Sequence, residues 1–569
     1  MLCLLLMFIM VMSSTVGCGT SPQASSTAQS TEAPASVSAE PKASPTETIA
    51  ATESATPEAT EPATPTEWMA KTEPVTLKAF VDFNPNPWGG WGSDPVSTEI
   101  TRRTGVTIQV TIATTTEHEE LNAMLASGDL PDFVVLNGDG PLRATLWKQG
   151  FVQPLNKLME KYAPNMKMTI PLDMDKIWKE SDGNQYFIPG YYSDVTRILD
   201  LKGIQQTVSG LTMNQPMYKK IGSPSFNTLE EYQKMLIGAK STLGADAPFL
   251  VFDAAAEAPQ DDQRNMAQLI NRIYGGGATK SIAADGSVHL NFRDESYKKA
   301  ILYIDGLYRA GLVNKEIFTS QKQEQTDALF QNQKVFSSWG QPFNAYKHDM
   351  TDAGPYKAVE PPKNTGSELY WRAASTGIGG WPLASISSTS SNSERAILYY
   401  EFLLSDEGQM LTYHGIEGVD YKIVDGMPKN EPVKEKMWGA AFSDVQSKLG
   451  ILNYQICWFP TNYSDMLYYF WLNQSKPAYL VDTAVNNKYA RNERMNELIM
   501  VESDSKEKVI ETKVYDLWKT MLPKMYLAET EGQCIDAYNE LITKAEKLGL
   551  LDLEAAYTAS YKHWLEVLK

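Results

Sequence analysis

An α/β architecture on a parallel, doubly wound sheet is what the sequence predicts, and three observations carry that prediction. Two segments alternate apolar and polar residues with the period of a strand, a helix with its own start and stop signals lies between them, and a third apolar run follows a second helix. In the first strand Leu77, Ala79, Val81 and Phe83 alternate with their neighbours. Asp94-Pro95 then opens a helix. The Asp side chain can accept from a free N–H of the first turn, and proline at the first helical position has its φ already set. Gly105 stops that helix. Val106, Ile108, Val110 and Ile112 alternate with Thr107, Gln109 and Thr111 as the second strand. Residues 117–126 carry Leu121, Met124 and Leu125 on one helical face and end at Gly128. Phe133-Val134-Val135-Leu136, after a turn at Pro131, is the third strand. Strand, helix, strand, helix, strand at these spacings implies right-handed crossovers between parallel strands. Ligands of such sheets bind beyond the carboxyl ends of the strands. The first strand runs into Asp82-Phe83-Asn84-Pro85-Asn86-Pro87-Trp88-Gly89-Gly90-Trp91 and the third into Asn137-Gly138-Asp139-Gly140. Indoles, amides and carboxylates are thus placed where a cleft is expected.

The stretch ahead of this body is of another kind. Residues 2–12 are an almost unbroken apolar run, about half the ~20 residues a membrane-spanning helix needs, and small residues follow it. That pattern reads as a secretory signal peptide over 1–18. Thr15-Val16-Gly17-Cys18 resembles the bacterial lipoprotein cleavage box, which makes Cys18 the expected lipidated residue; no Lys or Arg precedes the run, and Thr15 stands where Leu is usual. From 19 to 74 the chain is Ser, Thr, Ala, Pro and Glu, with almost nothing large and apolar before Trp68. Such a segment cannot bury enough surface to offset the entropy of ordering it, and its prolines keep it extended. It is expected to be a disordered linker between a lipid anchor and the folded body.

Composition narrows the function. The chain has 569 residues, 43% of them hydrophobic, enough for two or three folded units. Eight Glu and two Lys in 19–74 carry −6 of the formal charge of −18, leaving −12 on the rest. An acidic body lacks the clustered cations that nucleic acid requires, and it is repelled by anionic lipid. Four cysteines, Cys3, Cys18, Cys457 and Cys534, exclude a disulfide scaffold and any four-thiolate zinc site in the mature body. Whether Cys457 and Cys534 pair is left open by the sequence. The five histidines His118, His289, His348, His414 and His563 include no pair at metal-ligand spacing. No G-x-S-x-G elbow occurs. Tyr274-Gly275-Gly276-Gly277-Ala278-Thr279-Lys280-Ser281 has Thr279 where a phosphate loop needs Gly, and reads as a helix stop. Asp82-x-Asn84-x-Asn86 begins like a calcium loop but has Pro87 at the turning position and Ser93 where the bidentate Glu belongs. No cofactor is expected, a structural calcium elsewhere stays open, and the chain is not expected to be an enzyme.

A run of segments in fixed order resembles the extracellular solute-binding proteins of bacterial ABC importers, in particular the large carbohydrate-binding lipoproteins of Gram-positive bacteria. Gly128-Asp129-Leu130-Pro131-Asp132-Phe133 resembles the family's G-x-L-P-D-[IV] segment, and Gly150-Phe151-Val152-Gln153-Pro154-Leu155 with Tyr162-Ala163-Pro164-Asn165 follows. Asp182-Gly183-Asn184-Gln185-Tyr186-Phe187-Ile188-Pro189 resembles D-G-K-x-Y-G-[IL]-P, with Phe187 in place of Gly. Thr228-Leu229-Glu230-Glu231-Tyr232 matches a helix start and is a capping box in its own right. Gly311-Leu312-Val313 after an amphipathic helix (Tyr297, Ile301, Ile304, Tyr308), Tyr400–Gly408 and His414–Tyr421 continue the order. The resemblance implies a two-lobe, periplasmic-binding-protein-like α/β fold with an interlobe cleft. It puts lobe one at 75–189 plus 361–412, and lobe two at 190–360 plus 413–569. The last helical stretch, with Val514, Leu517, Trp518 and Met521 at helical spacing, is expected to pack on lobe two.

A neutral sugar is bound by flat apolar faces and fixed hydrogen-bonding groups. The chain carries 13 Trp, 28 Tyr and 18 Phe, and those in loops after strands are the candidates. The expected ligand-binding residues are Asp82, Asn84, Trp88, Trp91, Asn137, Asp139, Trp339, Trp381 and Trp458, with Tyr191 and Tyr192 at the presumed hinge. The expected function is capture of an oligosaccharide by hinge closure outside the cell and its delivery to an ABC permease, by a monomer held on the membrane through Cys18. A surface glycoside hydrolase and a sensing lipoprotein without transport are the competing readings.

Overall fold

Alternation and caps produce the expected elements with small changes at their ends. In the computed structural model β1 (Val75–Val81), α1 (Pro95–Thr104), β2 (Val106–Ile112), α2 (Glu119–Ser127) and β3 (Phe133–Leu136) follow one another. Asp94 accepts from the N–H of Ser97 at the N-terminus of α1, with Pro95 in its first turn, and Gly105 closes the helix at φ 71°. The structure describes residues 66–569 except 84–89, 115–117, 139–140, 167–173, 191–206, 208, 245–249, 253–258, 262–264, 314–327, 341–353, 365, 367, 374–379, 381, 425–426, 431–446, 452–483 and 503. The chain divides into residues 1–63 and 64–569, and all the described residues belong to the second unit. Cys18 and Cys457 lie outside them; Cys534 is a buried thiol, which burial pushes up to about 12.

The remaining elements are α3 (Pro141–Lys148), α4 (Leu155–Tyr162), β4 (Ile188–Pro189), β5 (Gly210–Asn214), α5 (Leu229–Leu243), β6 (Leu250–Phe252), α6 (Met266–Ile273), α7 (Glu295–Arg309), β7 (Ser337–Gly340), β8 (Tyr356–Val359), β9 (Trp371–Arg372), β10 (Leu383–Ile386), α8 (Ser393–Leu404), α9 (Asp406–His414), β11 (Ala490–Arg491), α10 (Lys506–Tyr526), α11 (Glu531–Lys547) and α12 (Leu550–Val567), beside shorter turns and hairpins. Two larger sheets organise them. The first has the order β2-β1-β3-β10-β4, the second β8-β5-β7-β6. In the first, β1 is parallel to β2 and β3, whereas β10 runs antiparallel to β3 and to β4. The expected wholly parallel sheet is therefore corrected to a mixed one. Its antiparallel strand arrives from a distant part of the chain, so nothing in the local pattern of 75–136 announces it.

Both faces of the first sheet are covered, as its doubly wound connections require. Leu77, Ala79, Val81, Phe133 and Val135 point to a core shared with α1, α4, α8 and α9. Phe80, Val134 and Leu136 point to the other face, with Leu121, Leu146 and Trp178. Phe187, the departure from the family pattern, is 1% exposed in this second layer. The second sheet has its own core, built with α5, α6, α7 and the C-terminal helices. Thr228 and Glu231 form the complete capping box at α5. Val514, Trp518 and Met521 of α10 are buried there, and the indole N–H of Trp518 donates to the Tyr297 hydroxyl at 3.0 Å.

The core memberships shift two boundaries. Leu369 and Trp371, expected in lobe one, are buried in the core of the second sheet. Tyr413, Ile416 and Ile451, expected in lobe two, pack on the first. For Leu369 and Trp371 the reason is pairing at a distance: β9 is parallel to β11, and the Trp371 N–H donates to the Tyr489 carbonyl.

Candidate functional site

The chain order of the first sheet creates a switch point. From β1 the chain winds through α1 to β2 on one side, then returns through α2 to β3 on the other. The carboxyl ends of β1 and β3 are therefore neighbours with their connections diverging, the place where open α/β sheets bind ligands. The Asp82 N–H still donates to the Val135 carbonyl at 2.9 Å, which holds the two ends together. Asn137 is exposed just past β3.

Asp82 itself faces inward. Its side chain is 1% exposed, and its Oδ2 lies 2.5 Å from Nδ1 of His118, whose side chain is 44% exposed. Burial pushes the Asp82 carboxyl up, and the contact with His118 opposes that rise. The expectation that Asp82 touches ligand directly is thus corrected: a desolvated carboxylate under an imidazole has no free face. His118 is the residue that sequence reasoning missed. Sequence reasoning puts it inside the helix it precedes, and only the fold carries it to Asp82, 36 positions away. It occupies the N-cap position of α2 with φ 59° and makes no side-chain capping bond. Glu120, two residues on, accepts from the N–H and hydroxyl of Thr114.

The other expected site residues separate. Trp339 is 0% exposed in the second core, edge-on to Tyr232 at 5.9 Å between ring centroids, so its expected ligand contact is corrected to a packing role. Strand β7 is central in its sheet, between β5 and β6, and that placement encloses its side chains. Trp91 is half-buried; its indole N–H donates to Thr101 Oγ1 at 2.8 Å and its ring meets Tyr399 edge-on. It ties the loop ahead of α1 to the second half of that helix and to the first core. Asn84, Trp88, Asp139, Tyr191, Tyr192, Trp381 and Trp458 lie outside the described residues.

Two passages between the sheets are joined by backbone. The chain leaves the first sheet after β4 and enters the second at β5; it leaves β9 and returns to the first sheet at β10. Where they pass, the Gly190 N–H donates to the Pro382 carbonyl at 2.7 Å and the Gly380 N–H to the Gly190 carbonyl at 2.8 Å. Gly380 has φ 118°, and a Cβ there would sit 3.2 Å from the ring of Trp178. Arg143 stacks over that ring at 4.8 Å and pairs with Glu180 at 2.7 Å. No helix among the described residues is long and apolar enough to cross a membrane.

Comparison with known proteins adds a family and a set of relatives. The model of a family described as bacterial extracellular solute-binding protein matches residues 96–422. A fructooligosaccharide ABC transporter substrate-binding protein, FusA, of Streptococcus pneumoniae serotype 4 is 25% identical over 227 residues, 38% of this chain and 41% of the relative. The match thus spans about two-fifths of that protein. Among solved structures, an EF-hand mutant of S. pneumoniae FusA in complex with fructo-nystose has a TM-score of 0.65 at 18% identity, covering 86% of this chain and 100% of that one. The alginate-binding protein AlgQ2 without calcium ion has a TM-score of 0.62 at 21% identity, covering 86% and 98%. At these identities the likeness is one of fold.

Proposed function

Because the chain belongs to the bacterial extracellular solute-binding protein family, we propose that it captures a neutral oligosaccharide outside the cell and hands it to an ABC permease. The observation that carries this reading is the pair of sheets, each with its own core, connected where Gly190 pairs with Gly380 and Pro382. Two bodies that each bury a core of their own can change their angle by hinge or shear where the chain crosses between them, while both cores stay intact. Ligand contacts completed only when both bodies close on the guest shift that equilibrium. The relatives support the substrate class, since FusA is described as a fructooligosaccharide binder, and so does the supply of aromatic side chains in this chain. The negative formal charge suits a neutral guest. In this proposal Asn137 lines the site with Asn84, Trp88, Asp139, Tyr191, Tyr192, Trp381 and Trp458, whose place after strands or at the crossing recommends them. The chain binds without chemical change, works as a monomer and is tethered through lipid at Cys18.

A thermal-shift and calorimetric screen of the purified body against fructooligosaccharides and other neutral oligosaccharides tests the reading. Saturable binding without new reducing ends is expected; turnover would replace capture by hydrolysis. In cells, Cys18→Ala is expected to release the protein into the medium, and retention of the variant on the membrane would remove the anchor.

A further inference from the structure

We propose that His118 is a ligand-contacting residue of the capture site, a hydroxyl acceptor aimed by the buried Asp82 behind it. The proposal rests on the capture reading above and adds to it a residue with a defined chemical role.

Position comes first. His118 stands at the carboxyl edge of the first sheet, beside the neighbouring ends of β1 and β3. Its ring is half in solvent, while the carboxylate it touches is not, so one imidazole nitrogen is engaged inward and the other is left for an outside partner. The backbone is held in a left-handed conformation at φ 59°, which costs a non-glycine residue about 1 kcal/mol or more. At the start of a helix a polar side chain ordinarily turns back to cap the free N–H groups. This one does not, and reaches instead to Asp82 on β1.

Chemistry then assigns the two nitrogens. An ionised carboxylate only accepts, so the contact with Asp82 Oδ2 puts a proton on Nδ1 of His118. A neutral ring with its proton there carries a lone pair on Nε2, and a sugar hydroxyl can donate to it. The second partner of an imidazole sets its tautomer and orientation, which is the role left to Asp82 as a positioning residue. The other charged groups nearby, Glu119 and Glu120 on the first turn of α2, are acceptors as well; Glu120 is occupied by Thr114. His118 therefore adds an oriented nitrogen acceptor to the edge where Asn137 is exposed just past β3.

The test uses kestose, raffinose and maltotriose as neutral trisaccharide probes, with calorimetry, and nitrogen-15 spectra of the His118 ring in the ligand-free protein. His118→Ala is expected to weaken the probe that binds by at least tenfold with the melting temperature nearly unchanged. His118→Gln, whose amide oxygen can accept the same hydroxyl, is expected to recover part of the loss. Asp82→Asn is expected to weaken binding three- to tenfold and to move the ring proton away from Nδ1, a change that a purely structural carboxylate would not cause. Unchanged affinity in both His118 variants overturns the proposal and leaves the capture reading standing. An unaltered ring spectrum in Asp82→Asn overturns the positioning role. If no probe binds the wild-type protein, the capture reading for neutral trisaccharides falls, and the role of His118 in ligand contact falls with it.

Discussion

Buried carboxylates at three positions do three different jobs, and the surroundings of each decide which. Asp132, the acid of the Gly-Asp-Leu-Pro-Asp segment, accepts from the Lys78 N–H at 2.8 Å, the Ser390 hydroxyl at 2.6 Å and the Asn392 amide at 3.2 Å. It ties the middle of β1 to the turn between β10 and α8, so its place in the motif reflects architecture. Asp82 positions His118. Glu401 of α8 accepts from the N–H groups of Glu67 and Trp68, fixing the turn by which the chain enters the folded body, and Trp68 packs edge-on to Phe402 at 4.9 Å. Burial, and then the hydrogen bond with Glu67, push the Glu401 carboxyl up to about 7. For Glu67 burial acts in the same direction but is outweighed by hydrogen bonds from Glu401 and Asn165, so its carboxyl sits below the usual range. The sign follows from proton uptake. Between about pH 4.5 and about pH 7 the folded state keeps a proton on Glu401 that the unfolded chain has lost, so stability falls as pH rises through that window. Glu401→Gln retains an acceptor for Trp68 without the charge. Relative to the wild type it is expected to gain on the order of 2 kcal/mol between pH 5 and pH 8, read from urea melts at both values. A constant difference across that range would dismiss the linkage.

Helix α1 shows why a glycine stop was legible while its true importance was not. Gly105 and Gly128 both end helices in the left-handed region, at φ 71° and 73°. A Cβ on Gly105 would sit 2.1 Å from the Thr72 carbonyl oxygen, whereas nothing lies within 4 Å of one on Gly128. The chain entering β1 runs against the end of α1, and the Val75 N–H donates to the Gly105 carbonyl at 3.0 Å. Gly128→Ala is expected to cost about 1 kcal/mol, the strain of the conformation alone, and Gly105→Ala at least about 2 kcal/mol more, because backbone must move. Equal midpoints in denaturant for the two variants would contradict the close approach. From the pattern both positions look alike: a glycine after an amphipathic run. Only the packing of a distant segment against one of them separates the two.

In the molecule as a whole, the last helix is shared between the two sheets. Leu550, Leu553 and Tyr557 of α12 are buried in the core of the second sheet, while Trp564 near its end, with Leu568 just beyond, packs against the outer layer of the first. Lys148 of α3 pairs with Asp504 just ahead of α10 at 2.7 Å. The expectation that this stretch packs on the second lobe thus holds for its first part and is extended by its last turn. Closure of one sheet's body on the other is expected to bend the crossing where Gly380 and Gly190 pair, beside this shared helix. Gly380→Ala places a methyl against Trp178 in a conformation that L residues rarely adopt. It is expected to weaken oligosaccharide binding at least fivefold while both cores stay folded, as judged by calorimetry beside circular dichroism. Undiminished affinity would show that closure does not pass through this contact.

The strands, caps and stops of 75–136 could be read directly because each rests on interactions between residues a few positions apart, and the chain states those interactions in its own order. The family likeness was legible for a related reason, since its segments mark turns that short-range chemistry imposes. What only folding decided were the meetings of remote parts. These are β10 entering antiparallel beside β3, Trp339 enclosed in a central strand, Leu369 and Trp371 drawn to the second core by β11, and His118 brought over Asp82. In each case the deciding contact spans a long loop. Its gain depends on which surfaces are already buried, a quantity that exists only once the chain is packed.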